Sequence, residues 1–260
     1  MTPLFAAIGL LVGFCAGVLS GMFGVGGGIV MTPAIQLLLA APPIVALATP
    51  LPIIFPTALM GSLTYRRAGQ VDDHAVAWII GPGIVGAVLG AAMTRVIDTH
   101  LLLVVTAALM AYQAVSMLRG ATRGGSQGGQ DAPRAATPLF FAGIGFLAGA
   151  VSGLLGIGGG LIMVPLLAGW LGMPLKTALG TSLLAMVAFV IPGTLVHSWL
   201  GHIDWAIFLV VTAGSVPGAF VGARIALRTK DQTLRIVVGT FLLVVAVGYG
   251  ASEVAHLLRG

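Results

Sequence analysis

Residues 20–28 read Ser-Gly-Met-Phe-Gly-Val-Gly-Gly-Gly, and residues 152–160 read Ser-Gly-Leu-Leu-Gly-Ile-Gly-Gly-Gly. Both clusters interrupt apolar stretches. Successive glycines each weaken a helix by about 1 kcal/mol relative to alanine, so the triplets predict a break. A helix that restarts after a break begins with unpaired N–H groups and the positive end of its dipole. That is chemistry for holding an anion. The candidate ligands are the backbones of Gly24, Gly26, Gly27 and Gly28, those of Gly156, Gly158, Gly159 and Gly160, and the hydroxyls of Ser20 and Ser152.

Three further hydroxyls, Thr49, Thr181 and Ser182, can donate to an oxyanion. They can equally bond back to carbonyls of their own helix. The single glycines have a competing use as well. Gly17-x-x-x-Gly21, Gly149-x-x-x-Gly153, Gly86-x-x-x-Gly90 and Gly218-x-x-x-Gly222 have the spacing that lets membrane helices pack closely. Packing is the better account of these, and a broken helix the better account of the triplets. Gly24-Val25-Gly26 lacks the preceding strand and the Lys-Ser/Thr of a nucleotide loop.

The seven acids are Asp72, Asp73, Asp98, Asp131, Asp204, Asp231 and Glu253, and none falls in the middle of an apolar segment. Cation carriers and proton relays place carboxylates in the membrane. The sequence therefore favours an anion or a neutral molecule over a cation. His74, His100, His197, His202 and His256 all lie near predicted segment ends, where a surface or interfacial role is expected. His197 is a candidate proton-linked group, and Arg66 a candidate anion attractor at a pore mouth. The His197–His202 spacing matches no metal site, and no metal or cofactor is expected. Ser20, Ser152 and His197 carry no supporting nucleophile motif, so catalytic residues are not expected.

These residues belong to a repeat. An offset of 132 aligns residues 13–91 with 145–223 without a gap, and 26 of the 79 pairs are identical. The matches include Gly, Pro, Thr and Asp in register, which shared apolar composition does not produce. The offset also pairs Thr49 with Thr181, Asp72 with Asp204 and Tyr65 with His197.

The elements that position them are membrane helices. The chain is 58% apolar and 7% charged, against about 25% charged in a soluble domain. Apolar runs approach the roughly 20 residues that cross hydrocarbon as a helix. The net charge of +5 comes without basic patches interleaved with aromatics, so nucleic acid is not a partner and the lipid bilayer is. Cys15, the single cysteine, reads as a small buried residue.

Five segments fill each half: 4–20, 25–40, 44–66, 75–94 and 99–118, then 138–154, 157–172, 175–198, 205–226 and 232–256. The first two of each half read as short. They either both span or form a re-entrant hairpin. Pro50, Pro52 and Pro56 predict a kink in the third segment of the first half. Repeats are assigned to 1–118 and 138–260, with a Gly/Ser/Gln-rich cytoplasmic linker at 119–137. With the N-terminus outside, ten of the twelve Lys and Arg fall in cytoplasmic loops; Arg95 and Arg259 do not. Both termini are then extracytoplasmic. Either count of spans gives an odd number of net crossings per half, hence an inverted repeat. The expected fold is an all-α integral membrane protein of two inverted five-segment repeats, with glycine-broken first helix pairs.

The doubled S-G-x-x-G-x-G-G-G-x-x-x-x-P pattern, the Ala-Leu-Gly-Thr-Ser-Leu stretch at 178–183, and the Gly69-x-Val71-Asp72 and Gly201-x-Ile203-Asp204 pairs resemble the sulfite exporter TauE/SafE family, also called TSUP. The likeness covers nearly the whole chain. It implies a bacterial inner-membrane carrier of a small sulfur oxyanion or sulfonate, usually an exporter, linked to the proton motive force. An anion such as sulfite, which titrates near neutrality, could itself carry the proton. The rival readings are a passive anion channel, an intramembrane enzyme and an assembly subunit. The oligomeric state stays open, a homodimer included. In one respect the halves differ: Pro50 stands where the second half has the hydroxyl of Ser182.

Overall fold

The computed structural model describes residues 3–93, 99–122 and 137–257. Most of the expected linker at 119–137 lies outside them, as do Arg95, Asp98, Arg123, Asp131, Arg134 and Arg259 and the side chains of His100, Glu253 and His256. The described residues form helices and no strand. The first half contains α1 (Pro3–Phe23), α2 (Gly28–Leu38), α3 (Pro43–Ala48), α4 (Pro50–Arg67), α5 (Asp73–Met93) and α6 (Thr99–Thr122). The second contains α7 (Pro138–Leu155), α8 (Gly160–Pro165), α9 (Leu175–Trp199), α10 (Trp205–Arg228) and α11 (Asp231–Leu257). A π-helical turn, Leu166–Trp170, extends α8.

Among the described residues, seven helical stretches are long and apolar enough to cross a membrane, with α3 and α4 together forming one of them. The chain is an all-α, multi-pass membrane protein. The first segments are longer than the sequence suggested: α1 has 21 residues and α7 has 18. Only their successors are short. The 11 residues of α2 measure about 16 Å, half the thickness of the hydrocarbon layer.

Proline shapes both halves. Pro50 has no N–H to continue the helix, so α3 and α4 are separate at Thr49, where the kink was expected. In the second half Pro165 precedes the π turn, in which Leu171 N–H reaches back five residues to the Leu166 carbonyl.

Packing follows the repeat. Helix α1 lies against α10 and α7 against α5, two pairings that exchange under the 132-residue offset. Helix α4 packs on its own counterpart α9, and α6 on α11. Glycine sets these distances. A methyl group on Gly17 would collide with the Ser215 carbonyl, and one on Gly149 with the Gly83 carbonyl. Gly86 and Gly218 meet the carbonyls of Phe146 and Phe14 in the same way. With no hydrophobic drive between helices in lipid, such backbone approach supplies much of the cohesion.

The outer faces are apolar: Leu11, Val85, Leu195 and Leu209 are all exposed. Cys15 is exposed on α1, not buried as its composition suggested, because Val12 and Ala16 turn the opposite face to α10. Trp78, Trp170, Trp199 and Trp205 are exposed near helix ends, the placement of membrane-interface anchors.

Candidate functional site

Both triplets break their helices as expected. Helix α1 ends at Phe23, and Gly24, Gly26 and Gly27 have φ of 66°, 76° and 79°. Gly156, Gly158 and Gly159 repeat this at 68°, 84° and 76°. That left-handed region is costly for any residue with a Cβ. Gly27 and Gly159 are the N-caps from which α2 and α8 restart. Gly27 O accepts the first helical bonds from Val30 and Met31 N–H, and Gly159 O accepts those from Ile162 and Met163 N–H. The N–H groups that open α2 and α8 have no carbonyl one turn earlier in their own helix to bond.

The chain then folds back on itself. Gly27 lies on Ser20 and the Ala16 carbonyl, and Ala16, Met31 and Ile35 share a core with Ile207 and Val211. In the second half Gly159 lies on the Ala148 carbonyl. Each glycine break is thus the tip of a hairpin whose second arm is short.

The two tips meet. A methyl on Gly28 would stand 2.7 Å from Ile157 Cα and 2.8 Å from Gly156 O. One on Gly160 would stand 2.5 Å from Gly24 O and 2.7 Å from Val25 Cα. Two side chains close over the junction. Met186 Sδ is 3.1 Å from the Cβ position of Gly26 and 3.0 Å from that of Gly158, and Ile54 lies against both. Ile54 and Met186 are related by the 132-residue offset and are fully buried. Neither residue stands out in the sequence by type; the 132-residue offset, applied to the middle of the third segments, is the signal that pairs them.

The hydroxyls divide into two kinds. Ser20 and Ser152 are buried beside the tips, and neither oxygen has a hydrogen-bond partner. Ser20 also lines a small apolar pocket with Phe23, Val25, Gly27 and Ile29. Thr49, Thr181 and Ser182 are structurally engaged. Thr181 Oγ1 accepts from Asp72 N–H at 2.9 Å, and Thr49 Oγ1 accepts from Asp204 N–H at 3.1 Å. Both threonines keep their own O–H proton for donation. Ser182 Oγ is 2.7 Å from Gly24 O and 2.9 Å from Leu179 O, so its one proton braces the first break from the opposite half.

The aspartates of the two Gly-x-x-Asp motifs are caps. Asp204 Oδ1 accepts from Ala206 and Ile207 N–H, and Asp72 Oδ1 accepts from Ala75 N–H. The glycines of the motifs, Gly69 and Gly201, take φ of 68° and 71° in the turns before these caps.

A corresponding pair holds the ends of α4 and α9 to the hairpins. Tyr65 O–H donates to Gly21 O at 3.0 Å. Its counterpart His197 places Nε2 3.4 Å from Gly153 O, the carbonyl equivalent to Gly21. His197 is fully buried, which corrects the surface role expected from its place near a helix end. The turn after α9 brings His202 back onto it, with the two Nδ1 atoms 3.2 Å apart. Arg66 sits at the end of α4, exposed and paired with Asp73 at 3.1 Å. Among the described residues no three metal-ligating side chains cluster.

A family profile and several relatives match nearly the whole chain. The profile of the family described as "Sulfite exporter TauE/SafE" matches residues 9–249. A "Probable membrane transporter protein YunE" of Bacillus subtilis is 29% identical, over 92% of this chain and 94% of its own. A "Probable membrane transporter protein" of Xylella fastidiosa is 31% identical over 92% and 91%, and one of Haemophilus influenzae is 31% identical over 94% and 97%. No solved structure matches. Tandem glycine-tipped hairpins that meet between paired helices are therefore features of a transporter-family chain, and the protein belongs to the sulfite exporter TauE/SafE family.

Proposed function

We propose that the protein is a secondary transporter that exports a small sulfur-containing anion, such as sulfite or an organosulfonate, by alternating access linked to the proton motive force. The observation that carries the reading is the meeting of two glycine tips, each beside a buried, unpartnered serine hydroxyl. A buried hydroxyl without a partner costs about 1–3 kcal/mol, and an anion between the tips would relieve that cost at Ser20 and Ser152. The backbones of Gly26–Gly28 and Gly158–Gly160 would supply N–H donors without Cβ atoms to hold the anion off, whereas the N–H groups of Gly24 and Gly156, candidates by sequence, are bonded to Ser20 O and Ser152 O. Thr49 and Thr181 have protons to spare, and Ser182 can redirect its own. No fixed cation is needed at such a site.

With Ile54 and Met186 packed over the tips, the arrangement corresponds to an occluded state. Transport then requires the two halves to separate at this junction. The exchange of helix pairings under the repeat offset supports two inverted units, 1–118 and 138–260, rocking about a shared axis. The loop charge bias supports extracytoplasmic termini in a bacterial inner membrane, with a cytoplasmic connection at 119–137. Arg66, at the cytoplasmic end of α4 in this orientation, would draw anions toward the pathway.

The test is flux into proteoliposomes containing purified protein, with sulfite, sulfate, sulfoacetate and a neutral solute, with and without a pH gradient. Saturable movement of sulfite or sulfoacetate that is accelerated by the gradient supports the reading. Saturation that ignores the gradient assigns a uniporter, and non-saturating flux a channel. Absence of flux from folded protein removes the substrate assignment.

A further inference from the structure

Helix α6 buries an amide that nothing in the protein satisfies. Gln113 is fully buried, and neither Oε1 nor Nε2 has a hydrogen-bond partner. A buried polar group left unpaired is costly. We propose that Gln113 is a substrate-contacting residue at the second glycine tip, and that it selects an oxyanion that retains one O–H. The inference rests on the transport reading and narrows its substrate class.

The repeat places the residue. The 132-residue offset continues into α6 and α11, where Ala107 and Ala114 correspond to Gly239 and Ala246, and all four are buried. The Ala114 carbonyl and the Leu118 side chain lie on Gly239. In α11 the neighbouring face meets the first hairpin. The Phe241 ring is 6.1 Å from that of Phe23, and Leu242 lines the small pocket beside Ser20. The positions equivalent to these in α6 are 109 and 110. Gln113 is one turn beyond 110 and about 100° round the helix from Ala114. It therefore leaves α11 to Ala114 and Leu118, and stands on the face by which α6 packs on α7 and α8, the two arms of the second hairpin. Ser152, buried and equally without a partner, is on the first of those arms. Position 245, the counterpart of Gln113, is Val, so the first half has no such amide there.

The selectivity follows from the donor set. Ser152 and the backbones of Gly158–Gly160 are donors that suit any oxyanion. Gln113 adds what they lack, because Nε2 donates while Oε1 only accepts. An anion whose oxygens are all bare meets Oε1 as a repulsion. An anion with one O–H beside a bare oxygen satisfies both ends of the amide together, donating to Oε1 and accepting from Nε2. Singly protonated sulfite presents that pair. Sulfate at neutral pH and a sulfonate head do not. Among the described side chains the protein supplies no competing proton there. Helices α3, α7 and α8, which pack on α6, carry no ionisable side chain. Asp231 and Arg235 lie in the first turns of α11, with the Arg235 guanidinium against Gly120, two turns from Gln113. Tyr112 and Arg119 of α6 itself are exposed. The proton that Gln113 reads is the anion's own, so each anion carried takes one proton with it.

The test uses Gln113→Leu, with Gln113→Met as a second variant of similar shape. In proteoliposomes KM for total sulfite is measured at pH 6 and pH 8, with sulfoacetate as the anion that lacks the O–H. In wild type KM is expected to fall toward pH 6, where more of the sulfite is protonated. In the variants it should rise about tenfold at pH 6, the size of a lost hydrogen bond to a charged group. The preference over sulfoacetate should shrink with it, while the unfolding midpoint holds or rises. An unchanged sulfite KM overturns the proposal. A lower midpoint without a change in KM, or failure of both variants to fold, assigns the amide to structure and overturns it as well. Binding is read separately, as the rise in unfolding midpoint that sulfite gives. If wild-type protein moves no sulfite, the transport reading fails. A sulfite-induced rise in wild type that the variants lose still supports the contact at Gln113. An equal rise in both, or none in wild type, overturns it.

Discussion

Asp204 N–H donates to Thr49 Oγ1, and the counterpart of each residue, 132 positions away, makes the same bond: Asp72 N–H donates to Thr181 Oγ1. Each bond crosses from one repeat to the other. Each ties the turn before a capped helix to the start of the third segment of the other half. The two repeats therefore hold each other's turns.

That reciprocity makes a prediction. Thr181→Val removes the acceptor but keeps the shape, leaving Asp72 N–H without its partner. A loss of about 1–3 kcal/mol is expected, read as a lower midpoint in detergent unfolding, whereas Thr181→Ser should stay near wild type. Equal stability of the valine variant would show that the bond contributes nothing.

Ser20→Ala and Ser152→Ala should behave in the opposite way. Their hydroxyls are buried without partners, so removing them should leave the unfolding midpoint unchanged or raised. If the hydroxyls serve the anion, the same variants raise KM for sulfite. A drop in stability with unchanged KM would assign them to structure alone.

Met186→Ala opens space where the two tips are closed. It should cost about 2–5 kcal/mol as a core truncation, and sulfite leak that ignores the pH gradient should rise. Ile54→Ala is expected to do the same from the other half. Lower stability without leak would remove these side chains from the gate.

Glycine positions should sort by surroundings. Gly27→Leu and Gly159→Leu force a Cβ into positive-φ backbone and should abolish folding or flux. Gly17→Leu should fail because its Cβ would meet the Ser215 carbonyl. Gly143→Ala, with nothing nearby, should fold with equal or greater stability. Expression and gel-filtration profiles of these variants are a direct check.

Much of this was legible in the chain. The low charge and long apolar runs can only be satisfied in a bilayer, where helices satisfy their own backbone. The repeated Gly-Gly-Gly favoured a break over close helix packing, because glycine is indifferent to the φ that the tips require. The offset already aligned the residues that turn out to exchange bonds, Thr49 with Thr181 and Asp72 with Asp204. Only the tertiary structure decided what faces what. The order of residues does not say that α1 lies on α10, that Ile54 and Met186 close over both tips, or that Ser182 braces Gly24 from the other half. It suggested a surface role for His197 because position near a helix end usually means exposure. Burial there is decided by α7, whose Gly153 comes close enough for a carbonyl to reach the ring, and by the turn that returns His202. Local pattern determined the elements, since break, cap and span each depend on neighbours in sequence; the site depended on contacts between residues as far apart as Gly26 and Met186, which only packing brings together.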